Sequence, residues 1–183
     1  MKQVYLAFGS NIEPSRYYLT ESLYLLKEML NCPVICSSVY QTKAYLNEIQ
    51  PDFLNCCVAF KTNKTALELL SITQSVENKI GGTKEKGKWA DRKIDIDLVL
   101  YGNDIISLES LKVPHYDLSH RDFFLIPLLE LDPLLINPKT SKSLREELRL
   151  IASGEKTDPR NVGSLSSGEN RQKENDYQNP ALF

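Results

Sequence analysis

A chain of 183 residues with 42% hydrophobic residues can bury the core of one domain and still carry a tail. Its net charge of −2 excludes recruitment of nucleic acid or an anionic membrane by a global field. The sequence shows neither a signal peptide nor a run of about 20 apolar residues that could span a bilayer. We therefore expect a cytoplasmic protein that binds neither nucleic acid nor membranes. The cysteines form no CxxC pair, and we expect reduced thiols rather than zinc at Cys32, Cys36, Cys56 and Cys57.

The first hundred residues alternate between strand and helix patterns. β-branched and aromatic residues predict strands, a leucine repeat at helical spacing predicts the first helix, and the capping-box pair Thr65 and Glu68 predicts the start of the second. Gly9-Ser10-Asn11 is typical of a turn. The predicted elements are a strand at 3–8, a helix at 15–30, strands at 33–42 and 53–62, a helix at 65–79 and a strand at 93–101. This βαββαβ order predicts an α+β, ferredoxin-like antiparallel sheet with helices on one face, so the other face should be wet or functional.

The remaining third of the chain predicts a C-terminal appendage and a tail. Residues 103–151, together with the helix-like polar segment at 141–152, have too few apolar residues for a core of their own. From Ser153 onward the composition is rich in Ser, Gly, Asn and charge, and it cannot repay the entropy of ordering. We therefore predict one domain at 1–152 and a disordered tail at 153–183.

Two aspartates lie within the otherwise apolar strand at 93–101. Alternation along a strand places Asp95 and Asp97 on one face and about 7 Å apart. An isolated D-x-D is most often solvated surface, but two ionised carboxylates this close are favoured by a cation between them, and oxygen ligands select Mg²⁺. Magnesium in turn implies phosphates. In the strand at 93–101 the predicted apolar face carries Ile94, Ile96, Leu98 and Leu100, and the predicted open face carries Lys93, Asp95, Asp97, Val99 and Tyr101. In the strand at 53–62 the predicted apolar face carries Leu54, Cys56, Val58 and Phe60, and the predicted open face carries Phe53 and Asn55.

Basic and aromatic residues flank the aspartates in sequence. The loop at 79–93 carries six basic and two acidic residues, which by itself fits a solvated loop equally well. His115 follows a proline, where a structural role is more common than a functional one. The carboxylate pair, the basic residues on both sides and two phenylalanines able to enclose a flat ring together predict a nucleotide-phosphate site beside an aromatic pocket. Candidates after the strand are His115, Tyr116 and Arg121, and the two rings are Phe53 and Phe123.

An ordered set of motifs over about residues 2–150 resembles a known enzyme family. The motifs are GSN at 9–11, Thr42, QPDFLN at 50–55, Glu77 with Gly81, KWADRKIDIDLVLYG at 88–102 and VPHYDLSHRDFFLIPLLEL at 113–131. Each piece alone is weak, but the order is specific. The set resembles the 6-hydroxymethyl-7,8-dihydropterin pyrophosphokinases of folate biosynthesis. The resemblance implies transfer of the β,γ-pyrophosphate of ATP to the pterin hydroxymethyl group, with release of AMP, by a monomer acting on these two small molecules.

The resemblance also implies a role for each matching residue. Asp95 and Asp97 would hold two Mg²⁺ ions that bridge the ATP phosphates and the attacking hydroxyl. Arg92, His115 and Arg121 would bind the phosphates and complete the catalytic set. The residues along the nucleotide would be Glu77, Lys84, Lys88, Trp89, Leu98 and Tyr116. Phe53 and Phe123 would stack on the pterin, and Thr42, Asn55 and Asp95 would contact its polar groups.

The chain departs from the family pattern near the basic loop. Gly82 replaces a common arginine, Lys84 and Lys88 stand where arginines are frequent, and W-A-D-R at 89–92 replaces W-G-P-R. Phe53 is often tyrosine. Two alternatives stay open: another two-metal nucleotide-dependent transferase, which pterin-independent ATP turnover would favour, and a non-catalytic ferredoxin-like binding module, which Mg²⁺-independent ATP binding would favour.

Overall fold

The computed structural model describes residues 1–43, 51–81 and 91–154, together with the backbone of Lys173–Glu174. Its elements in chain order are β1 (Lys2–Ser10), α1 (Ser15–Leu30), β2 (Val34–Cys36), β3 (Val39–Thr42), β4 (Phe53–Thr62), α2 (Ala66–Gly81), β5 (Asp95–Tyr101), β6 (Ile106–Ser107), β7 (Lys112–Val113), a 3₁₀ turn (Leu118–His120), α3 (Asp122–Leu131), α4 (Leu144–Ala152) and β8 (Lys173–Glu174).

The central sheet has the predicted ferredoxin-like arrangement. Its strand order is β5-β1-β4-β3-β8, β2 pairs with the other end of β4, and every pairing is antiparallel. β6 and β7 form a separate hairpin. This arrangement confirms the predicted fold class. The predicted run at 33–42 is divided into β2 and β3 because Ser37 bonds to Cys57 of β4 through both its backbone N–H and its hydroxyl oxygen.

The two helices of the βαββαβ unit pack on one face, as predicted. The helical repeat of α1 buries Leu19, Leu26 and Leu30 against the sheet. The capping box of α2 is confirmed, since the Thr65 backbone N–H donates to Glu68 Oε2 at 2.7 Å and the Glu68 N–H donates to Thr65 Oγ1 at 3.3 Å. Among the described residues no helix is long and apolar enough to cross a membrane.

The appendage covers much of the second face, which the sequence predicted to be wet or functional. Phe124, Leu125 and Leu128 of α3 pack with Tyr5 and Cys57 from the sheet in a second buried cluster. That part of the prediction was wrong because FFLIPLL is apolar on every side and contains a proline, so it carries no helical stripe that would have revealed α3. Near the first residues of β4 and β5 this face is less covered, and Phe53, Asp95 and Asp97 are partly exposed.

A β-bulge corrects the predicted faces of β5. Tyr5 of β1 pairs with Leu100, whereas the next residue, Leu6, pairs with Leu98, so Val99 is an extra residue. Leu100 therefore lies in the second cluster with Val99, and Tyr101 lies in the cluster under α1 and α2. The predicted places of Leu100 and Tyr101 were wrong because strict alternation holds only up to the bulge.

A buried carboxylate joins α4 to the rest of the appendage. Glu147 is fully buried and accepts hydrogen bonds from Ser119 Oγ at 2.9 Å and Thr140 Oγ1 at 2.6 Å, with Asn137 Nδ2 as a third donor. The network joins α4 to the 3₁₀ turn, and it therefore restrains the loop that carries His115 and Arg121.

The remaining predictions concern the cysteines, the turn at Gly9-Ser10-Asn11 and the tail. The four cysteines are free, and burial raises the pKa of Cys36 to about 11 and those of Cys56 and Cys57 further. The prediction of a turn was wrong for Gly9 and Ser10, because both residues belong to β1. Lys173 and Glu174 pair with Tyr40 and Val39 of β3. The rest of the tail from 155 onward lies outside the described residues, and its disorder and the boundary at 152 stay predictions.

Candidate active site

Three strands bring Asp95, Gly9 and Asn55 into one row across the sheet. Gly9 of β1 pairs with Asn55 of β4 on one side and with Asp95 of β5 on the other. A Cβ on Gly9 would lie 2.9 Å from Asn55 Oδ1 and 3.7 Å from Phe53 Cδ1. The missing side chain therefore leaves an opening between the amide and the carboxylate, with the Phe53 ring at its edge.

The amide of Asn55 is held by a second predicted residue. Asn55 is buried, and its Nδ2 donates to Thr42 Oγ1 at 2.7 Å. The pairing of β3 with β4 sets Thr42 opposite Phe53, which explains why both groups flank the amide. Thr42, Phe53 and Asn55 thus meet as predicted. Phe123, in the first turn of α3, lies on the same side of the sheet, because α3 packs against β3 and β4.

Asp97 faces His115 one step further along β5. The backbone N–H of His115 donates to the Val99 carbonyl at 3.0 Å, so the bulge is also where the loop after β7 joins β5. His115 Nε2 consequently lies 3.8 Å from Asp97 Oδ1. On the other side, Asp97 is opposite Ala7, whose small side chain leaves the carboxylate uncrowded.

The pKa values of Asp97 and His115 indicate that this part of the site has little positive charge. Removal from bulk solvent and the nearby Asp95 carboxylate raise the pKa of Asp97 to about 7, against the opposing effect of Arg121 and Arg92. Burial and the neighbouring Arg121 lower the pKa of His115 to about 4. His115 is therefore neutral at physiological pH. The carboxylate of Asp97 binds a proton more readily than a solvated aspartate does.

Arg92 reaches the carboxylates from the end of the basic loop. Its Nη1 lies 2.5 Å from Asp95 Oδ2. The buried Asn11 holds the backbone here: the Arg92 N–H donates to Asn11 Oδ1 at 2.7 Å, the Asn11 N–H donates to the Arg92 carbonyl at 3.2 Å, and Asn11 Nδ2 donates to Asp91 Oδ1 at 2.8 Å. Asp91, which interrupts the family's W-G-P-R pattern, thus gains a specific partner.

Arg121 lies among aromatic rings at the start of α3. Its guanidinium carbon is 5.4 Å from the Phe123 ring centroid and 5.5 Å from that of Phe124. Its Nη2 and Nε donate to Asp117 Oδ2 at 2.7 and 3.2 Å. The Tyr116 ring is 57% exposed and lies 4.5 Å from the His115 ring, so it is available at the surface.

Two predicted nucleotide residues are buried. Glu77 is 6% exposed and its Oε1 accepts from the Ile96 backbone N–H at 2.9 Å, which fixes β5 between the two aspartates. The Leu98 side chain packs in the cluster under α1 and α2, on the face opposite Asp97. A contact of Leu98 with nucleotide would therefore involve its backbone. Gly82, Lys84, Lys88 and Trp89 lie outside the described residues.

Three residues of this site had no assigned role in the sequence prediction. Gly9 and Asn11 belong to the GSN motif, which was taken as a turn, and Asp117 follows His115 and Tyr116 in VPHYD. Their motifs were visible, but their contacts join positions far apart in sequence. In residues 1–43, 51–81 and 91–154 there is no cluster of three or more His, Cys, Asp or Glu side chains that could hold a metal.

Comparison with known proteins places these residues in a family. The model of 7,8-dihydro-6-hydroxymethylpterin-pyrophosphokinase matches residues 5–133. The chain belongs to this family. Among curated relatives named 2-amino-4-hydroxy-6-hydroxymethyldihydropteridine pyrophosphokinase, that of Aquifex aeolicus is 42% identical over 80% of this chain and 90% of its own length. The Bacillus subtilis relative is 37% identical over 78% of this chain and 86% of its own length.

Solved structures share the fold at lower identity. An HPPK-DHPS in complex with substrates has a TM-score of 0.66 and 15% identity, covering 84% of this chain and 44% of that longer one. The wild-type HPPK-DHPS of Plasmodium falciparum with pteroate has a TM-score of 0.65 and 16% identity, over 83% of this chain and 42% of that one. The chain thus spans less than half of these longer proteins, and the likeness concerns the fold alone.

Proposed function

We propose that this pyrophosphokinase transfers the β,γ-pyrophosphoryl group of ATP to the hydroxymethyl group of 6-hydroxymethyl-7,8-dihydropterin and releases AMP, in folate biosynthesis. The observation that carries the assignment of the site is the row of Asp95, Gly9 and Asn55. It sets an amide that can pair with a heterocycle next to a carboxylate suited to phosphate-bound cations, with an opening between them. Pterin and phosphate can thus meet at the end of the sheet where β1 finishes and β5 begins.

The pterin would enter the opening over Gly9. Its ring edge offers donors and acceptors, and a buried group left unpaired costs about 1–3 kcal/mol. Asn55 and Thr42 are already hydrogen-bonded to each other, so they are fixed in place before the substrate binds. Phe53 and Phe123 would stack on the two ring faces, and Asp95 would lie next to the hydroxymethyl group. The absent hydroxyl of Phe53 relative to tyrosine does not affect stacking.

The carboxylate pair fits Mg²⁺, and we propose that Asp95 and Asp97 hold two such ions. Their oxygens are hard ligands, and the raised pKa of Asp97 supports a shortage of positive charge around this carboxylate. Mg²⁺ in nucleotide enzymes typically binds one or two carboxylates and leaves its other positions to phosphates and water, so a larger protein cluster is unnecessary. Bound there, the ions would neutralise and orient the phosphate oxygens.

Basic and hydrogen-bonding side chains of the chain would position the phosphates. Arg92, Lys84 and Lys88 precede the two aspartates in the sequence, and His115 and Arg121 follow them. Guanidinium forks suit phosphate oxygens, and the neutral His115 can donate one hydrogen bond without adding charge. Trp89, Tyr116 and the backbone of Leu98 would lie along the nucleotide. Glu77 would act indirectly, because its carboxylate holds the backbone of β5. Catalysis is then mostly alignment of the hydroxyl with the phosphorus.

Direct product analysis tests this function. The chain is incubated with ATP, Mg²⁺ and 6-hydroxymethyl-7,8-dihydropterin, and we expect AMP and the pterin diphosphate in equal amounts. The matched control replaces the substrate by 6-methyl-7,8-dihydropterin, which has no hydroxyl to attack and should give no AMP. ATP turnover with that control would favour another two-metal transferase. Binding of ATP that ignores Mg²⁺, without turnover, would favour a binding module.

We also propose that the chain acts as a cytoplasmic monomer. Its substrates are small, and every residue proposed for the site comes from one chain. Light scattering after size exclusion at catalytic concentrations tests the oligomeric state, and a mass of twice the chain's 20.9 kDa would contradict it.

A further inference from the structure

Asp117 connects two residues that we place at the phosphates. It is 5% exposed and lies in the turn between His115 and the 3₁₀ turn. Its Oδ2 accepts from both Nε and Nη2 of Arg121, which fixes the plane of the guanidinium. Its backbone N–H donates to His115 Nδ1 at 3.2 Å. One residue therefore contacts both groups, one through its side chain and the other through its backbone.

The contact with His115 determines which ring nitrogen carries the proton. A neutral imidazole has one N–H donor and one acceptor, and a nitrogen that accepts from a backbone N–H cannot be the donor. The proton of His115 is therefore on Nε2, the atom that lies 3.8 Å from Asp97 Oδ1. The ring is further held by an edge contact with Phe124, at a centroid distance of 5.0 Å. Nε2–H thus points toward the carboxylate pair.

We propose that Asp117 is a positioning residue of the transfer site, which orients Arg121 with its carboxylate and keeps the Nε2–H tautomer of His115 through its backbone. The inference rests on the proposed function. The carboxylate bond to Arg121 also stabilises the turn that presents the Asp117 N–H, so loss of the carboxylate disturbs both contacts. A purely local role, an i,i+4 ion pair at the start of α3, would stabilise the fold without changing the tautomer or the use of ATP.

The experiment compares Asp117→Ala with Asp117→Asn and a matched control. Asp104→Ala removes another carboxylate with a cation partner, Lys2 at 2.6 Å, near the opposite end of β5 from Asp95. The readouts are melting temperature, kcat and KM for each substrate, and the ¹⁵N chemical shifts of His115 at pH 7 without ligands. A His115→Gln sample identifies the resonances. The shifts report the tautomer directly, in the ligand-free protein.

In Asp117→Ala we expect kcat/KM for ATP to fall at least tenfold and KM for the pterin to stay within about twofold. We expect the His115 nitrogens to move from distinct donor and acceptor shifts toward averaged values. Asp117→Asn, which keeps an acceptor oxygen, should recover part of both effects, and Asp104→Ala should change neither. Should Asp117→Ala not fold, Asp117→Asn still has to lower kcat/KM for ATP at least threefold.

Three outcomes would overturn the inference. The first is unchanged ATP kinetics in both Asp117 variants. The second is an unchanged His115 tautomer in the folded variants. The third is a lower KM for ATP in the variants, because this would mean that Asp117 competes with phosphate for Arg121. Failure of the wild-type chain to form AMP would instead refute the proposed function. The tautomer measurement uses no substrate and tests Asp117 in either case.

Discussion

Gly9 lies directly opposite Asn55 in the pairing of β1 with β4, and a methyl group at position 9 would lie 2.9 Å from Asn55 Oδ1. Real side chains do not approach an oxygen this closely, so either the amide or the strand would have to shift. The backbone of Gly9 has no positive φ, and the glycine is needed for space rather than for conformation. This relation makes the opening over β1 directly testable.

Gly9→Ala should therefore raise KM for the pterin at least tenfold while leaving the dissociation constant of ATP within about threefold. The added methyl displaces the Asn55 amide that we expect to pair with the ring edge, and a lost buried hydrogen bond costs about 1–3 kcal/mol. Steady-state kinetics and calorimetry measure the two constants. Gly81→Ala is the control, since a Cβ there meets nothing within 4 Å. Equal pterin KM values in Gly9→Ala and wild type would place the pterin elsewhere.

Asp95→Asn and Asp97→Asn should each lower kcat at least about a hundredfold. Each change removes one negative oxygen ligand while keeping the shape of the side chain, so the charge on the phosphate oxygens loses its compensation in the transition state. Single-turnover AMP formation over a range of Mg²⁺ concentrations measures the effect, and Asp104→Asn serves as the surface control. Near-normal turnover in either variant would rule out the two-metal assignment.

Asn11→Ala and Asp91→Ala should separate two functions of the Asn11 side chain. Asn11→Ala removes the acceptor of the Arg92 N–H as well as the donor to Asp91, and we expect kcat to fall about tenfold or more with about 1–3 kcal/mol of lost stability. Asp91→Ala removes only the part-buried bond from Asn11 Nδ2 and should change kcat less than about threefold. Kinetics with urea unfolding measure both. Similar effects of the two changes would show that Asn11 acts mainly through its hydrogen bond to Asp91 and not through its bond to the Arg92 backbone.

Local patterns in the sequence were sufficient for α1, α2, the strands of the central sheet and the shared face of the two aspartates. The leucine repeat of α1 and the capping box of α2 act over one or two turns, and both are confirmed. Alternation also put Asp95 and Asp97 on the same face as Phe53 and Asn55, and the row across Gly9 agrees with it. These features depend on neighbours within a few residues, which a sequence displays.

Features that depend on distant contacts were not predictable. The bulge at Val99 is favoured by the loop that docks His115 onto β5, and nothing within β5 itself marks it. Asn11 acts on residues 80 and 81 positions away in the chain. The FFLIPLL run within α3 is apolar at every position, so it has no polar face to show how the helix packs.

Truncation after Gly154 should change the melting temperature by less than about 3 °C and leave kcat unchanged. The removed segment contributes one two-residue strand, β8, to the described structure, and exposed ends with polar composition tolerate removal. Truncation after Lys142 is the contrasting variant, because it also deletes α4 with the fully buried Leu144 and Glu147, and it should lower the melting temperature by more than about 10 °C. Thermal unfolding measures both. A large loss in the first variant would mean that the tail packs on the domain.

Asp97→Asn should stabilise the ligand-free protein at pH 8, although we expect the same change to lower kcat. The pKa of Asp97 rises from 3.8 to about 7 on folding, so between these values the folded state binds more protons than the unfolded state. Its contribution to the free energy of unfolding is therefore fully present below about pH 4 and is lost as the pH rises through 7. The side chain is 32% exposed, which reduces the expected loss to about 1–2 kcal/mol.

Urea unfolding of wild type and Asp97→Asn at pH 4 and pH 8, without divalent cations, measures this difference. His115, whose pKa is lowered on folding, contributes stability that is lost as the pH falls from 6.5 toward 4, and comparison of the two proteins at each pH largely cancels that effect. We expect equal stability at pH 4 and a more stable variant at pH 8, and added Mg²⁺ at pH 8 should stabilise the wild type alone. A variant no more stable than wild type at pH 8 would show that the Asp97 charge is already compensated without a cation, and the case for a metal at this carboxylate would lose its electrostatic basis.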